Sequence, residues 1–363
     1  MKITKFKSNF FRNLDNFELI PSDSVNIIHG ENAQGKTNLI EGIYLFSGNK
    51  SFRGAKDSEL VAFDNEKSKL ELEFSSHERE QSAEIIIDSR RHSTLNGVKL
   101  KSSTTLSENI HVIVFSPDLL SIIKEGPKER RKFLNTAIGG VFPTYSDVIK
   151  KYNHILMQRN AVLKNYKNNK TLYDVLDEYD KILSVYGAKI VNIRLRYLQK
   201  LMEYLPKIYK DLTKEKEEIG VEYKFCELVE GTQEEIREKL KEVRPHDIAL
   251  SSTTVGPHRD DIVFYINGIN AKSYGSQGQQ RSIVLALKLA EAEMIKEICG
   301  EQPIALLDDV MSELDVWRQD YILNHTKNWQ VFITCCDPSS IERLKSGKTF
   351  LIENGKIKQI SGE

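Results

Sequence analysis

The chain has 363 residues, and 52 Lys and Arg are balanced by 52 Asp and Glu. That length suits about two domains with sizeable cores, and zero net charge excludes a globally basic nucleic-acid binder, so any basic surface must be local. The cysteines Cys226, Cys299, Cys335 and Cys336 show no C-x-x-C spacing, no signal peptide leads the chain and no apolar run approaches ~18 residues. The expectation is a reduced, soluble, cytoplasmic protein without a structural metal or a membrane partner.

In chain order, residues 1–29 read as two strands around the polar turn Phe10–Leu14. Arg12 and Asn13 in that turn either line a nucleotide's sugar or base or serve the turn alone. An apolar run, Val25–Ile28, then leads into Gly30-Glu31-Asn32-Ala33-Gln34-Gly35-Lys36-Thr37, followed by a helical pattern over Asn38–Phe46. Strand, glycine-rich turn and helix form the context that the phosphate-binding pattern G-x-x-x-x-G-K-S/T requires. Gly30 and Gly35 carry no Cβ, so the backbone can wrap a phosphate and aim its N–H groups inward at a helix N-terminus. Lys36 is placed to reach the β- and γ-phosphates, and the Thr37 hydroxyl to hold Mg²⁺.

The runs Leu70–Phe74 and Ala83–Ile87 alternate across the polar stretch Ser75–Ser82, predicting an antiparallel hairpin, and Asn96-Gly97 is a second hairpin turn. His111–Phe115 reads as a short buried strand. After Pro117-Asp118 the texture turns helical over residues 126–205, with one stripe at Val148, Ile149, Tyr152, Ile155 and Leu156. A second stripe runs from Leu172 through Tyr179 and Tyr186 to Ile190, with a loop at Lys164–Lys170 between the two. This predicts an antiparallel helical arm at residues 124–247, inserted into a domain formed by residues 1–123 and 248–363.

Charge along the arm is uneven. From Lys124 to Lys170 there are 11 Lys and Arg against 3 acids; from Lys207 to Asp247 there are 9 basic and 12 acidic residues. A local basic stripe in a neutral protein suits a phosphate backbone, with Lys128, Arg130, Arg131, Lys132, Lys150, Lys151 and Arg159 as candidates. The bland alternative is a solvated helix face.

Two further constellations complete a nucleotide site. Ile304-Ala305-Leu306-Leu307 runs into Asp308-Asp309, a buried strand ending in carboxylates. Asp308 would support Mg²⁺ and Asp309 would orient or deprotonate the attacking water, with Asp315 six residues on. Tyr274-Gly275-Ser276-Gln277-Gly278-Gln279-Gln280-Arg281 precedes a helix over Ser282–Ile298. A Ser-x-Gly-Gln turn there supplies a hydroxyl, glycine N–H groups and a helix dipole, a second anion-binding device. One chain with one phosphate loop has no local use for it. Ser276 and Gly278 are therefore expected to read the γ-phosphate held by another copy, in a homodimer that sandwiches two ATP molecules.

This set resembles the ABC-type ATPases and, within them, the chromosome-maintenance branch, most closely the RecF family. The likeness covers nearly the whole chain, including Asn9–Asn13, Gly30–Asn38, Phe115–Leu119, Arg130–Leu134 and Gly256-Pro257-His258-Arg259-Asp260-Asp261. It implies an α/β fold: an ABC-type P-loop ATPase head with an antiparallel β subdomain and an inserted antiparallel helical arm. It further implies ATP and Mg²⁺ at residues 30–38, with Lys36 and Asp309 catalytic, Thr37 and Asp308 on the metal, and Ser276 and Gly278 acting in trans. The function implied is recombinational repair at single-strand/double-strand DNA junctions, with RecO- and RecR-type partners helping to load recombinase. Two departures stand out. The usual catalytic Glu is Asp309, and the usual switch His is replaced around Thr334-Cys335-Cys336, leaving Thr334 as at best a weak γ-phosphate sensor. Turnover is therefore expected to be slow. The role of Gly256–Asp261 stays open between DNA, the partner copy and a plain turn. The rival readings are a long-armed chromosome-structure protein, which the short arm disfavours, a transporter's ATPase subunit, and a metabolic kinase, which would leave Ser276–Gly278 unexplained.

Overall fold

A computed structural model describes residues 1–165, 172–337 and 347–362. It divides into two compact units, Met1–Leu120 with Val284–Glu363, and Ser121–Ile283. The second unit runs well past residue 248, where the sequence pattern placed the return to the head.

The first unit opens with β1 (Lys2–Asn9), β2 (Phe17–Leu19) and β3 (Val25–His29), three strands where two were expected. After α1 (Lys36–Leu45) come β4 (Ser68–Ser76), β5 (Arg79–Ile87), β6 (Arg91–Leu95), β7 (Val98–Lys99) and β8 (Val112–Phe115). The hairpin expected across Ser75–Ser82 is tighter than its polar stretch suggested. Ser76 pairs directly with Arg79, and His77 and Glu78 both take positive φ in a two-residue turn. Asn96 and Gly97 do the same between β6 and β7.

The second unit holds α2 (Ser121–Lys124), α3 (Pro127–Val141), α4 (Pro143–Asn165), α5 (Leu172–Leu201) and α6 (Leu205–Leu212). Of the expected loop Lys164–Lys170, residues 166–170 lie outside the described residues, as does the side chain of Leu172. The unit continues through β9 (Ile219–Lys224), α7 (Gln233–Glu242), α8 (Arg244–Leu250), β10 (Asp261–Ile266), β11 (Ile269–Asn270) and α9 (Ala271–Tyr274). Helix α4 packs antiparallel on α5. The facing pairs Tyr145/Arg194, Tyr152/Gly187 and Arg159/Asp180 climb one helix and descend the other in steps of seven. A three-stranded antiparallel sheet, β11-β10-β9, completes this unit.

The chain returns to the first unit within α10 (Gln277–Cys299), then adds β12 (Ile304–Asp308), α11 (Val316–His325), β13 (Val331–Cys335), β14 (Gly347–Glu353) and β15 (Lys356–Ser361). Its two sheets show different burial rhythms. In the antiparallel sheet β2-β1-β4-β5-β6-β7, β4 alternates along its length because one face carries the core. In the sheet β15-β14-β3-β13-β12-β8, strands β14, β3, β13, β12 and β8 run parallel, and β8, β12 and β13 are buried at every residue. Parallel strands covered on both faces read as continuous apolar runs. Phe6, Phe46, Leu39, Ile43, Leu306 and Phe332 join both sheets and α1 in one core. Among the described residues no helix is long and apolar enough to cross a membrane.

Candidate nucleotide site

The glycine-rich loop leaves β3 at the carboxyl edge of the parallel strands and enters α1. Gly30 has φ +145°, and a Cβ there would stand 2.4 Å from the Ile352 carbonyl oxygen. Gly35 has φ +113°, and its Cβ would meet Asn13 Oδ1 at 2.8 Å. Only glycine fits either place. Gly35 also caps α1 without a side-chain acceptor, leaving the helix N-terminus for an anion. Lys36 is buried, and its Nζ donates to Gly30 O at 2.7 Å and Glu31 O at 2.8 Å. The ammonium thus rests inside the ring of backbone that would surround a phosphate. Asn354 N–H and Gly355 N–H bond Gln34 at its Oε1 and its carbonyl, tying the loop to the β14–β15 turn.

At the end of β12, Asp308 Oδ1 accepts from Thr37 Oγ1 at 3.0 Å and from Thr334 Oγ1 at 2.9 Å. Burial pushes the Asp308 carboxyl above its usual range, and the two hydroxyls pull it partly back. Asp309 follows with φ +52°, is exposed, and donates its N–H to Thr334 Oγ1 at 2.8 Å. Thr334, read as a weak γ-phosphate sensor, therefore spends its hydroxyl on the two acids. The side chain beside Lys36 is Cys336, whose Sγ lies 3.9 Å from Nζ and 3.2 Å from Asn32 Oδ1. Asp315 caps α11 through Arg318 N–H at 2.9 Å and pairs with the Arg318 guanidinium.

The donor set fits Mg²⁺. Thr37 and Asp308 offer adjacent hard oxygens beside a phosphate cradle, and among the described residues no cluster of three or more His, Cys, Asp or Glu forms a cage for an ion. Mg²⁺ in phosphoryl-transfer sites takes few protein ligands and draws the rest from phosphate and water.

Sequence reasoning missed a buried carboxylate. Glu41 on α1 has no exposed side-chain surface and accepts from Arg12 Nε at 2.9 Å and Nη2 at 3.1 Å. The Ser51 hydroxyl also donates to Glu41, and Arg53 Nη1 lies 3.9 Å away while donating to Asn38 Oδ1 at 3.1 Å. Arg12, which the sequence left open between lining the nucleotide and serving its turn, is anchored on α1 through Glu41. The available signal was a Glu amid the apolar residues of Asn38–Phe46.

In the second unit, Ser276 accepts from Gln279 N–H at 3.3 Å while its own N–H donates to Gln279 Oε1 at 2.7 Å. This reciprocal capping box opens α10 five residues earlier than its apolar stripe suggested. Ser276 is exposed, Tyr274 is 79% exposed, and nothing lies within 4 Å of a Cβ built on Gly278.

The basic candidates divide, which corrects part of the expectation. Arg159 is fully buried and bonds Asp180 at 2.6 Å and Asp247 at 2.7 Å. Arg130 is buried and holds Asp261 through Nε at 2.6 Å and Nη2 at 2.9 Å. Both are spent inside the unit, because a buried guanidinium needs its carboxylates. Lys128, Lys132, Lys150 and Lys151 are exposed, Lys132 pairing with Glu129 and Lys150 with Asp147; Arg131 is half-buried.

The same network explains the loop that sequence left open. Gly256, at φ +126°, passes so close to Tyr152 that a Cβ would stand 2.6 Å from its hydroxyl. Pro257 O accepts from Arg194 at 2.8 Å, and His258 Nδ1 meets the Tyr152 hydroxyl at 2.7 Å. Asp260 accepts from Tyr223 at 2.6 Å and Cys226 N–H at 2.9 Å, while Asp261 takes Arg130. The loop is the keystone that locks the α4–α5 seam to β9 and β10.

A phosphate loop on a parallel sheet, an acid strand beside it and a capped Ser-x-Gly-Gln helix define an ATPase head of the ABC type. Comparison with known proteins agrees. The RecF/RecN/SMC N terminal domain family matches residues 2–358. The DNA replication and repair protein RecF of Clostridium acetobutylicum is 43% identical over 96% of both chains, and that of Clostridium botulinum 41% over 96% of this chain and 97% of its own. A solved structure of the recombination mediator protein RecF-ATP in the RecFOR pathway superposes with TM-score 0.92 at 36% identity, covering 99% of this chain and 98% of that one. An Smc head bound to the C-winged helix domain of ScpA, 15% identical with TM-score 0.57, shares the fold. The chain belongs to the RecF family, whose members are ATPases of DNA replication and recombinational repair.

Proposed function

We propose that the chain is an ATP-switched DNA-binding protein that closes as a homodimer around gapped or junction DNA and, with RecO- and RecR-type partners, helps load recombinase on single strands. The observation that carries this reading is Asp308 held by Thr37 and Thr334 beside the Gly30–Gly35 cradle, a ready seat for Mg²⁺ and a triphosphate. Mg²⁺ would neutralise charge developing on the phosphate oxygens. Lys36 binds the β- and γ-phosphates, Thr37 and Asp308 hold the ion, and Asp309 orients the attacking water. Exposed Ser276 and half-buried Gly278 contact the γ-phosphate of the partner copy, with Asp315 near that nucleotide. The shorter Asp309 in place of Glu makes hydrolysis slow, so occupancy by ATP sets the closed state. The solved relatives whose descriptions name ATP and the RecFOR pathway favour the same nucleotide and the same mediators. Sedimentation of the full chain with gapped and blunt duplex, with and without Mg-ATP, tests it. The expected result is an ATP-dependent dimer that prefers gapped DNA; an ATP-saturated chain that stays monomeric on every substrate would overturn it.

A further inference from the structure

The second unit holds more guanidinium charge around its keystone loop than its carboxylates neutralise. Arg130 is matched by Asp261. Arg194, 2% exposed, bonds only neutral groups: Tyr145 Oη, Tyr223 Oη, Pro257 O and Asn135 Oδ1, at 2.8–3.1 Å. Arg131 donates to the Asp260 carbonyl at 2.7 Å, and Arg259 to Thr253 O at 3.3 Å and Ser252 Oγ at 3.4 Å. Among the described residues, Arg131, Arg194 and Arg259 make no ion pair. Asp260, the remaining acid, is buried and taken up by Tyr223 and Cys226. Three cations therefore face one carboxylate.

Their proximity has an electrical signature. Burial first, then the charge of Arg194, pulls the Arg131 guanidinium below its ordinary value; Asp261 and Asp260 pull it the other way, and Arg259 adds a smaller push down. Arg259 is exposed and Arg131 half-buried, each anchored to backbone carbonyls of one loop with N–H groups left over. A guanidinium has five donors, and these bonds use one from Arg131 and one nitrogen from Arg259. Two anchored guanidiniums over a buried third, with too little negative charge between them, suit a phosphate oxyanion.

We infer that Arg131 and Arg259 form a phosphodiester-binding pair for a nucleic-acid backbone. This inference rests on the DNA-binding reading above. A polymer is favoured over a lone nucleotide because the pair continues along α3, where Lys128, Arg131 and Lys132 share one face at three- and four-residue spacing. Arg259 was no part of the basic stripe read from sequence, since it lies 128 residues further along the chain from Arg131.

The test is the salt dependence of DNA binding by the full chain with Mg-ATP, read by anisotropy of a labelled duplex, for wild type, Arg131→Gln, Arg259→Gln and Arg259→Lys. Each Gln variant should lower the slope of log K against log salt by about 0.9, the share of one duplex phosphate, and Arg259→Lys should keep it. Nucleotide affinity and ATP-dependent dimerisation should not change. Unaltered slopes in both Gln variants while wild type binds DNA would overturn the pair and leave the DNA-binding reading standing. Lost nucleotide affinity or dimerisation at unchanged slope would overturn it in favour of the partner's nucleotide. No DNA binding by wild type would remove both. Arg259 is exposed and its bonds are long, so Arg259→Gln is expected to fold, and thermal unfolding checks this.

Discussion

The Thr334 hydroxyl donates to Asp308 Oδ1 at 2.9 Å while accepting the Asp309 N–H at 2.8 Å, so one side chain orients both acids at the end of β12. Thr334 is buried, and Thr334→Val keeps its shape but strands that N–H and halves the donors on Asp308. The expected cost is about 1–3 kcal/mol of stability, the penalty of an unmet buried polar group, read as a lower urea midpoint. Thr334→Ser should restore most of it.

Lys36→Ala and Asp309→Asn should part in opposite directions. Lys36 sits in the phosphate cradle, so its loss should abolish ATP-dependent dimers. Asp309 is exposed with its backbone turned by a positive φ, free to face water. Asp309→Asn should keep nucleotide binding, lower single-turnover hydrolysis by roughly 10²–10⁴, the usual share of a general base, and accumulate closed dimers. Intact turnover in Asp309→Asn would remove the carboxylate from its assigned role.

What was legible in sequence was whatever physics writes locally. The phosphate loop, the Asp308 strand and the Asn96-Gly97 turn are each specified by a few adjacent residues, and all stand where expected. What escaped depended on distant partners. Arg130 and Arg159 look like any basic residues on a helix until Asp261, Asp180 and Asp247 arrive from up to 131 positions away. Glu41 drew no reading from the sequence, since its partners Arg12 and Ser51 lie 29 and 10 positions away. The second unit extends past residue 248 because β10 packs on α3 and β9 on α6, a tertiary fact with no marker in local periodicity.

Two buried arginines should respond differently to the same change. Arg159 pairs with Asp180 and Asp247; Asp180 keeps Arg244, but Arg159→Met leaves the buried Asp247 without a cation and should cost about 3–5 kcal/mol. Arg194 touches no carboxylate, so Arg194→Met strands only hydroxyl and carbonyl groups and removes an unpaired buried charge. Its loss should be smaller, about 1–3 kcal/mol. Chemical denaturation of both variants measures the order; a larger loss for Arg194→Met would contradict the charge accounting of this unit.

His258 makes the keystone loop sensitive to acid. Burial, then the charges of Arg259, Arg131 and Arg159, pushes its pKa down to about 4, against a bond to the Thr253 carbonyl that raises it. The unfolded chain takes up this proton near pH 6.5, its ordinary value, while the folded chain resists until about 4. Stability from this group is therefore full above pH 6.5 and is lost as pH falls toward 4. Burial holds Asp260 above the usual carboxylate range, which works in the opposite sense at the acid end of that window. The contribution of His258 is isolated by comparing urea midpoints of wild type and His258→Gln across pH 4–7. The variant should begin less stable at pH 7, having lost the Tyr152 contact, and should fall less steeply below pH 6.5; parallel curves would show that this imidazole carries no linked proton.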